Sequence, residues 1–252
     1  MKGSIIIIEK SMKNQIDINS VKYMYNEMKE IWPQSDKWYC YTYSQIFNYL
    51  TAISKKYCFS QKTLILNAGS GGNTYNIPGI HYHIDIAEQK LKDIPHSYIG
   101  NIENTSFEDN MFDVCICVGS VINYCDAMMA IGEMRRVLKE RGLLILDYDQ
   151  SRSLEFLGTS HFGKTADIIE TFNSGYIDKT WIYSPKYISS ILKRQNFNIL
   201  NINYYHLLSS LAYRILQDEN KASNFTKYDK IIKHIPILNK LSCNVILCSQ
   251  KV

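Results

Sequence analysis

The stretch TLILNAGSGG, residues 63–72, joins a short apolar run to a glycine-rich loop. Residues 63–66 are apolar or β-branched and come after a polar approach, a pattern typical of a central parallel strand. Gly69, Gly71 and Gly72 carry no Cβ, so the backbone after this strand can turn sharply and come close to a ligand. Because a glycine cluster on its own is more often a plain turn, its interpretation depends on the next segment of the chain.

A second strand-like run, HYHIDI at residues 81–86, carries an acid near its end at Asp85. An acid at the tip of the strand after a glycine loop can accept hydrogen bonds from two ribose hydroxyls. The dinucleotide motif GxGxxG is incomplete, because Thr74 occupies the place of the third glycine. The acid also arrives sooner than the spacing of roughly twenty residues that is typical of a dinucleotide fold. The pattern therefore favours a nucleoside site and argues against a dehydrogenase.

Further segments continue this pattern in a recognisable order, at residues 98–103, 106–114 and 133–146. They resemble the third-strand end, the lead into the fourth strand and the helix-turn-strand of class I S-adenosylmethionine-dependent methyltransferases. The resemblance covers residues 63–148 and is to the small-molecule, methyltransferase type 11-like branch. It implies a Rossmann-like α/β fold with a doubly wound, seven-stranded mixed sheet. It also implies S-adenosyl-L-methionine as cofactor, S-adenosyl-L-homocysteine as product, and in-line methyl transfer to an O or N atom of a small molecule such as a secondary metabolite.

The same resemblance assigns cofactor roles to individual residues. It gives the ribose hydroxyls to Asp85, the two faces of the adenine to Ile86 and Ile102, and the adenine amine to Asn101, where the family usually has an acid. Asn67 likewise replaces an acid that helps to hold the cofactor's amino group, and for both Asn residues a turn or strand-end role stays open. The full predicted cofactor set is Asn67, Ala68, Gly69, Ser70, Gly71, Asp85, Ile86, Asn101, Ile102, Val118, Gly119 and Ser120.

Composition limits the alternatives. At 252 residues the chain is long enough for one α/β domain with an embellishment, and its net charge of +4 is small, so it demands neither nucleic acid nor membrane as a partner. Seven cysteines without a CxxC pair predict no zinc or other metal site, and reduced thiols suit the cytoplasm. The apolar run at residues 5–8 is too short for a signal segment, and no run approaches a membrane span. We expect a soluble cytoplasmic protein of undetermined oligomeric state.

The predicted organisation is a helical lid or cap at residues 1–60 and a methyltransferase core at 61–252. The core carries substrate-covering insertions at about 150–180 and 207–242, the second consisting of extra helices before the last strand. Only residues 73–80 separate the first two core strands, so we expect a first helix shortened to one or two turns. The aromatic run at 38–43 packs either on the sheet as core or over the substrate as a lid. The predicted lid and substrate residues are Trp38, Tyr39, Tyr43 and His206.

Catalytic residues are harder to assign, because methyl transfer depends mainly on alignment and needs a base only for a protonated or weakly nucleophilic acceptor. His161, in the excursion after the fifth strand, is the best candidate for a base, and a structural role is its alternative. Tyr124 is a second candidate at the carboxyl edge of the sheet. Residues 119–124 lack the NPPY-like sequence of base or glutamine methyltransferases, which favours a small molecule. Methylation of a peptide or protein, or an inactive cofactor-binding partner subunit, stays open.

Overall fold

The computed structural model describes residues 16–173, 176–232 and 235–252, and the apolar run at 5–8 lies outside these ranges. Seven strands form one mixed sheet in the order β3-β2-β1-β4-β5-β9-β8, and β6 and β7 form a separate antiparallel hairpin. The predicted Rossmann-like seven-stranded sheet is therefore confirmed. The strands are β1 (Leu64–Ala68), β2 (Ile80–Asp85), β3 (Ser97–Ile99), β4 (Phe112–Cys117), β5 (Leu138–Asp149), β6 (Ala166–Asn173), β7 (Tyr176–Tyr183), β8 (Phe197–Tyr205) and β9 (Asn244–Lys251).

Strands β1 to β5 are parallel, whereas β9 runs antiparallel to both of its neighbours, β5 and β8. The carboxyl ends of the five parallel strands therefore meet at one edge of the sheet. In open parallel sheets, ligands bind at that edge. The loops after β1, β2, β3, β4 and β5 are consequently the segments that can build a site.

Helices cover both faces of the sheet, and several of them start at an N-cap residue whose side chain binds amides of the first turn. Asp36, Asp126 and Ser184 accept hydrogen bonds from backbone amides of the first turns of α2, α3 and α4, which stabilises each start. The helices are α1 (Ile18–Glu27), α2 (Lys37–Lys56), α3 (Ala127–Val137), α4 (Pro185–Arg194), α5 (Leu208–Leu216), α6 (Glu219–Ala222), α7 (Thr226–Ile232) and α8 (Pro236–Asn239). In the described ranges no helix combines the length and apolarity that crossing a membrane requires.

Two apolar layers sandwich the sheet, because successive strand residues point to opposite faces. On β1, Leu66 belongs to the layer that α3 and α4 cover, and Ile65 belongs to the layer that α2 covers. Both side chains are almost fully buried. Helix α2 thus serves mainly as a core layer, with Ile46 and Leu50 packed on the sheet.

The structure differs from the sequence-based expectation in two connections. Residues 69–79 form turns and bends without a helical turn, so the shortened first helix that we expected is absent from this described stretch. The excursion after β5 contains the β6–β7 hairpin, whose strands pair from Ala166 with Tyr183 to Asn173 with Tyr176. Pairing across the hairpin satisfies backbone groups that an irregular excursion would leave to solvent.

Candidate functional site

A cleft opens at the carboxyl edge of the sheet, where the loops after β1 and β4 come together. Gly69, Gly71 and Gly119 line this cleft, and all three have positive φ angles, of +67°, +54° and +84°. A Cβ on Gly71 would lie 2.6 Å from Ile31 Cδ1, and one on Gly119 would lie 3.2 Å from the Trp32 ring. Glycine is required here both by the backbone conformation and by the close approach of neighbouring groups. We call this space the donor cleft.

Asp85 closes one side of the donor cleft and ties two loops together. Its Oδ2 accepts a hydrogen bond of 2.7 Å from the Gly71 amide, and its Oδ1 accepts one of 2.8 Å from the Ala87 amide. Burial raises the pKa of Asp85, and hydrogen bonds from the Ala87 and Gly71 amides oppose that shift. Each carboxylate oxygen has further lone-pair capacity, so the group can hold the loop and still accept bonds from a ligand.

The far end of the donor cleft is apolar with one amide at its rim. Ile86 and Ile102, from the loops after β2 and β3, line this end together with Asn101. The Asn101 side chain accepts a hydrogen bond of 2.9 Å from the Glu103 amide and donates one of 3.2 Å to the Glu103 carboxylate. Two isoleucines beside a fixed amide suit a flat heteroaromatic ring that presents polar atoms at its edge.

Several predicted cofactor residues line the donor cleft, and others do not. Ser70 and Val118 lie in its wall with the glycines, whereas Ala68 is buried in the core and Ser120 lines the neighbouring space instead. Asn67 is also buried, with its Nδ2 3.1 Å from His81 Nδ1 of β2, so its amide faces the neighbouring strand. The cofactor roles of these residues stay predictions.

The donor cleft fits S-adenosyl-L-methionine on the structure's own features. Glycine backbone leaves room where side chains would block it, a partly buried carboxylate stands at the end of β2, and an apolar slot lies beyond it. Side chains of α1 and the following loop, Tyr25, Ile31 and Trp32, form the roof. Asp85 would hold the ribose, Ile86 and Ile102 the adenine, and the glycine loop the methionine part.

A second cleft adjoins the donor cleft and shares part of its wall. Tyr25, Trp32, Gly119 and Tyr124 line both spaces. The second space has a cavity volume of about 190 Å³. We call it the acceptor cleft. Its remaining wall residues come from the segment after α1, from α2, the end of β5, the hairpin and the segments around α5 and β9: Met28, Ile31, Trp38, Tyr39, Thr42, Ser120, Asp149, Glu155, Phe156, Ile169, Thr171, Thr180, Ile182, Tyr213, Glu219, Cys243 and Asn244.

Three carboxylates stand in the wall of the acceptor cleft. Asp149 ends β5, and its Oδ1 accepts hydrogen bonds from Ser120 Oγ at 3.0 Å and from the Asn244 amide nitrogen. Burial raises the pKa of Asp149 to about 7, and the nearby charge of Asp147 adds to the shift. Burial likewise raises the pKa of Glu155 and of Glu219 to about 7. Each of these carboxyl groups therefore keeps its proton to a higher pH than a solvent-exposed carboxyl group does.

Of the predicted lid and catalytic residues, the structure brings three to the acceptor cleft. Tyr124 stands at the junction of the two clefts, with its ring 5.8 Å from that of Tyr25, and burial raises its pKa well above its ordinary value. Trp38 and Tyr39, in the first turn of α2, form the opposite wall. The aromatic run that begins α2 therefore reaches the cleft with its first residues, while the helix behind it packs on the sheet.

The other three lie outside both linings. Tyr43 packs between the rings of Trp32 and Tyr75, and His161 places its Nδ1 2.9 Å from Asp167 Oδ2. His206 is fully buried, is stacked on Trp38 at 3.7 Å and lies 2.9 Å from Thr42 Oγ1, and burial lowers its pKa to about 3. Tyr43 and His206 thus pack against residues of the aromatic wall, and His161 is paired with Asp167. The lid, substrate and catalytic roles of these three residues stay predictions.

Sequence reasoning did not single out the three carboxylates. Asp149 had a signal, because it is the last residue of a parallel strand and such residues reach the carboxyl edge. No sequence pattern indicated Glu155 or Glu219. Glu155 belongs to a short turn of helix after β5 and Glu219 to α6, far away in sequence. Only tertiary packing brings them to one cleft.

Comparisons with known proteins agree with this geometry. Residues 60–146 match the family model described as methyltransferase domain. An uncharacterized protein of Methanocaldococcus jannaschii is 31% identical over 107 residues, which are 40% of this chain and 47% of that protein. The chain thus matches about half the length of this relative.

Two solved structures share the fold. The PH0226 protein of Pyrococcus horikoshii is 15% identical, with a TM-score of 0.55 and coverage of 88% of this chain and 94% of that one. A putative S-adenosylmethionine-dependent methyltransferase of Listeria monocytogenes is 12% identical, with a TM-score of 0.52 and coverage of 77% and 91%. Because the family match spans the glycine loop, Asp85 and the strands that build the donor cleft, it supports a class I S-adenosylmethionine-dependent methyltransferase domain at residues 60–146.

Proposed function

We propose that the protein transfers a methyl group from S-adenosyl-L-methionine to a nitrogen or oxygen atom of a small molecule held in the acceptor cleft, with release of S-adenosyl-L-homocysteine. One observation carries this proposal: the donor and acceptor clefts share Tyr25, Trp32, Gly119 and Tyr124 as common walls. Two ligands bound side by side in these spaces would meet at the shared wall. A transfer reaction needs such a meeting point.

Residues of the donor cleft would bind and orient the methyl donor. When bound, S-adenosyl-L-methionine supplies an electrophilic methyl group on a sulfonium. Gly69 and Gly71 would let the loop approach its methionine part, and Asp85 would accept bonds from the ribose. Hydrogen bonds to a charged group contribute about 1.5–3 kcal/mol each, so Asp85 is the strongest single polar contact in this proposal.

Residues of the acceptor cleft would orient the second substrate and exclude water. Rings of Tyr25, Trp32, Trp38 and Tyr39 surround the space near the shared wall. An aromatic enclosure keeps solvent from the methyl group in transfer and restricts the acceptor to a few orientations. Alignment of nucleophile, methyl carbon and sulfur supplies most of the acceleration in such a displacement.

The proposal is tested by binding first and by transfer second. Calorimetry should detect S-adenosyl-L-homocysteine binding to the purified protein, and a labelled-methyl screen should then find label in small metabolites. Label that appears only in peptides or proteins would replace the small-molecule acceptor with the alternative class. Binding without transfer to any acceptor would favour a cofactor-binding partner subunit, and absence of binding would contradict the proposal entirely.

A further inference from the structure

We infer that the acceptor is a small organic amine, bound as an ammonium ion by Asp149, Glu155 and Glu219 in the acceptor cleft. This inference rests on the proposed function, which it deepens by naming the class of substrate. It is drawn from four features of the cleft: its charge, its free oxygen atoms, its aromatic wall and the position of Asp149.

The charge of the acceptor cleft is opposite to that of the chain. The whole sequence has an excess of basic residues, with 28 Lys and Arg against 24 Asp and Glu. The wall of the acceptor cleft nevertheless contains three carboxylates, and its described lining includes neither Lys nor Arg nor His. Arg214, whose charge lowers the pKa of Glu155, donates a hydrogen bond from its Nη1 to the Glu155 carbonyl at 2.8 Å. The cleft therefore presents a surplus of negative charge to whatever enters it.

Some carboxylate oxygen atoms in the wall of the acceptor cleft have no hydrogen-bond partner among the described residues. Asp149 uses Oδ1 for Ser120 and Asn244, and Glu155 receives the Cys243 thiol on Oε2 at 3.4 Å. Among the described residues, no hydrogen bond reaches Oδ2 of Asp149 or Oε1 of Glu155, and Glu219 forms no ion pair. Buried carboxylates are costly unless they find a partner, so these atoms are suited to a donor that arrives with the substrate.

Thr180 of β7 adds an independent polar group. Its side chain is more than nine-tenths buried and lines the cleft. Within the described part of the chain its hydroxyl has no hydrogen-bond partner, although the residue stands in the middle of a paired hairpin strand. A hydroxyl in the wall of the cleft that has no partner in the fold can form a hydrogen bond with a ligand. It offers a lone pair to an N–H group, as the carboxylates do.

The aromatic wall fits the same ligand. Trp38, Tyr39 and Tyr213 line the cleft beside the carboxylates, and the Trp38 ring is fixed by its stack on His206. An ammonium group is attracted to the face of an aromatic ring, and the attraction is larger where water is excluded. In the described ranges no three His, Cys, Asp or Glu side chains could together hold a metal ion. An organic cation is larger than a metal ion and can contact the carboxylates of the acceptor cleft at separate points of its surface.

Burial raises the pKa of all three acids. The charge of Asp149 raises the pKa of Glu155 and of Glu219 further, and the charge of Glu219 also raises that of Glu155. Asp147 faces Asp149, Asp36 and Asp218 face Glu219, and Arg214 and Cys243 face Glu155. A bound ammonium would favour the charged carboxylates, lower their pKa values and release protons near pH 7.

Asp149 is placed to accept the ammonium proton whose presence prevents methyl transfer to nitrogen. It is hydrogen-bonded to Ser120, the residue directly after Gly119 of the shared wall. An ammonium nitrogen has no lone pair, so its N–H proton must pass to a carboxylate before reaction. The neutral nitrogen then forms a bond to the methyl carbon of the sulfonium while the carbon–sulfur bond breaks, and that electron pair stays with sulfur. A carboxylate whose pKa is near neutrality is matched to this task.

The test compares three probes of similar size and different charge. Phenethylamine, 2-phenylethanol and 3-phenylpropionate are titrated by calorimetry into protein saturated with S-adenosyl-L-homocysteine, in a buffer near neutral pH. We expect the amine to bind at least about tenfold more tightly than the alcohol, because it gains charge-assisted hydrogen bonds. Repeating the amine titration in buffers of different ionisation enthalpy should reveal proton release.

Two variants and one control complete the test. Glu219→Gln and Glu155→Gln keep the side-chain shape, and each should weaken the amine severalfold while leaving the alcohol unchanged. Glu170→Gln is the matched control, because Glu170 lies on the outer side of the hairpin, where it pairs with Lys179. It should change neither affinity.

The inference is overturned if the alcohol or the acid binds as tightly as the amine, if none of the probes binds, or if both cleft variants bind the amine normally. Each of these results leaves the proposed function standing as long as S-adenosyl-L-homocysteine binds. Failure of S-adenosyl-L-homocysteine itself to bind would overturn the proposed function instead, and the two failures are therefore distinguishable.

Discussion

The donor cleft and the acceptor cleft share a wall but are built in different ways. The donor cleft is made by loops that come directly after β1, β2, β3 and β4, and its shape depends on glycine backbone. The acceptor cleft is made by side chains from α2, the end of β5, the hairpin and the C-terminal helices. The first is a property of the sheet edge, whereas the second exists only when distant segments pack together.

This difference has an energetic consequence. Buried polar groups of the donor cleft are paired within it, as Asp85 is with the amides of Gly71 and Ala87. Within the described residues, Asp149 Oδ2 and Glu155 Oε1 of the acceptor cleft have no hydrogen-bond partner, and burial raises the pKa of both groups and of Glu219. The donor cleft is thus preorganised for its ligand. In the acceptor cleft, carboxylates that lack partners are energetically unfavourable, and a ligand that binds them can remove this penalty. Four predictions test this contrast.

The largest effect should come from Gly71→Val. A valine there must adopt φ near +54° and place its Cβ 2.6 Å from Ile31 Cδ1, so the donor cleft should be filled and strained together. We expect calorimetry to detect no S-adenosyl-L-homocysteine binding. Gly163→Val is the matched control, because Gly163 has φ +74° with open space around it. A folded Gly71→Val protein with ordinary affinity would contradict the assignment of the loop.

The second effect should come from Asp85→Ala. Loss of a charged acceptor should weaken binding of S-adenosyl-L-homocysteine at least about tenfold. Asp113→Ala is the control, since Asp113 also accepts a backbone amide, that of Leu64 at 2.8 Å, but lies at the opposite edge of the sheet. It should lower the melting temperature without changing affinity. Equal losses of affinity in both variants would mean that Asp85 acts through stability alone.

Tyr43→Ala should have a smaller effect, on stability. Tyr43 packs on Trp32 and Tyr75 beneath the clefts, so its removal leaves a cavity that costs about 2 kcal/mol or more. We expect a melting temperature lower by several degrees in scanning calorimetry. Tyr23→Ala, at a tyrosine of α1 that is mostly exposed, should leave the melting temperature unchanged. An unaltered melting temperature for Tyr43→Ala would place this side chain in the lid instead.

The smallest effect should be a change in how stability depends on pH. Glu219 has a pKa of about 7 in the folded protein and an ordinary value of 4.5, so the folded state holds the extra proton between these values. Its contribution to stability is therefore fully present below about pH 4.5 and is lost as pH rises through 7. Glu219→Gln should raise the melting temperature at alkaline pH relative to wild type, with less difference at mildly acidic pH. A constant difference across this range would refute the raised pKa.

Local elements were predictable wherever chemistry close in sequence decides them. Ser184 and Pro185 predict the start of α4, and the alternation at residues 197–205 predicts β8 with the bounds observed. The short segment after the glycine loop was predicted to keep one or two helical turns, yet it contains only turns and bends. The hairpin was not predicted either, because its polar and aromatic residues suit an irregular excursion equally well.

Site residues divide in the same way. Gly69, Gly71, Asp85, Ile86, Asn101 and Ile102 lie at or just after strand ends, and all line the donor cleft as their positions in the sequence predict. His161 and Tyr43 were chosen because of their residue type and region, and neither lines a cleft. The direction of a side chain in a long excursion or a core helix depends on packing partners that no local pattern names.

Short-range rules, together with the resemblance to a known family, were thus sufficient to predict the sheet and the strand-end residues of the donor cleft. These rules are strand periodicity, glycine where the backbone must bend, and an acid at a strand end. The side chains that line the acceptor cleft are brought together by tertiary packing alone. The three carboxylates of the acceptor cleft come from distant parts of the sequence: Asp149 from β5, Glu155 from the segment after it and Glu219 from α6. No local sequence pattern therefore indicates that they line one cleft. They line one cleft because the C-terminal helices pack over the carboxyl edge of the sheet. Burial at this position raises the pKa of all three acids.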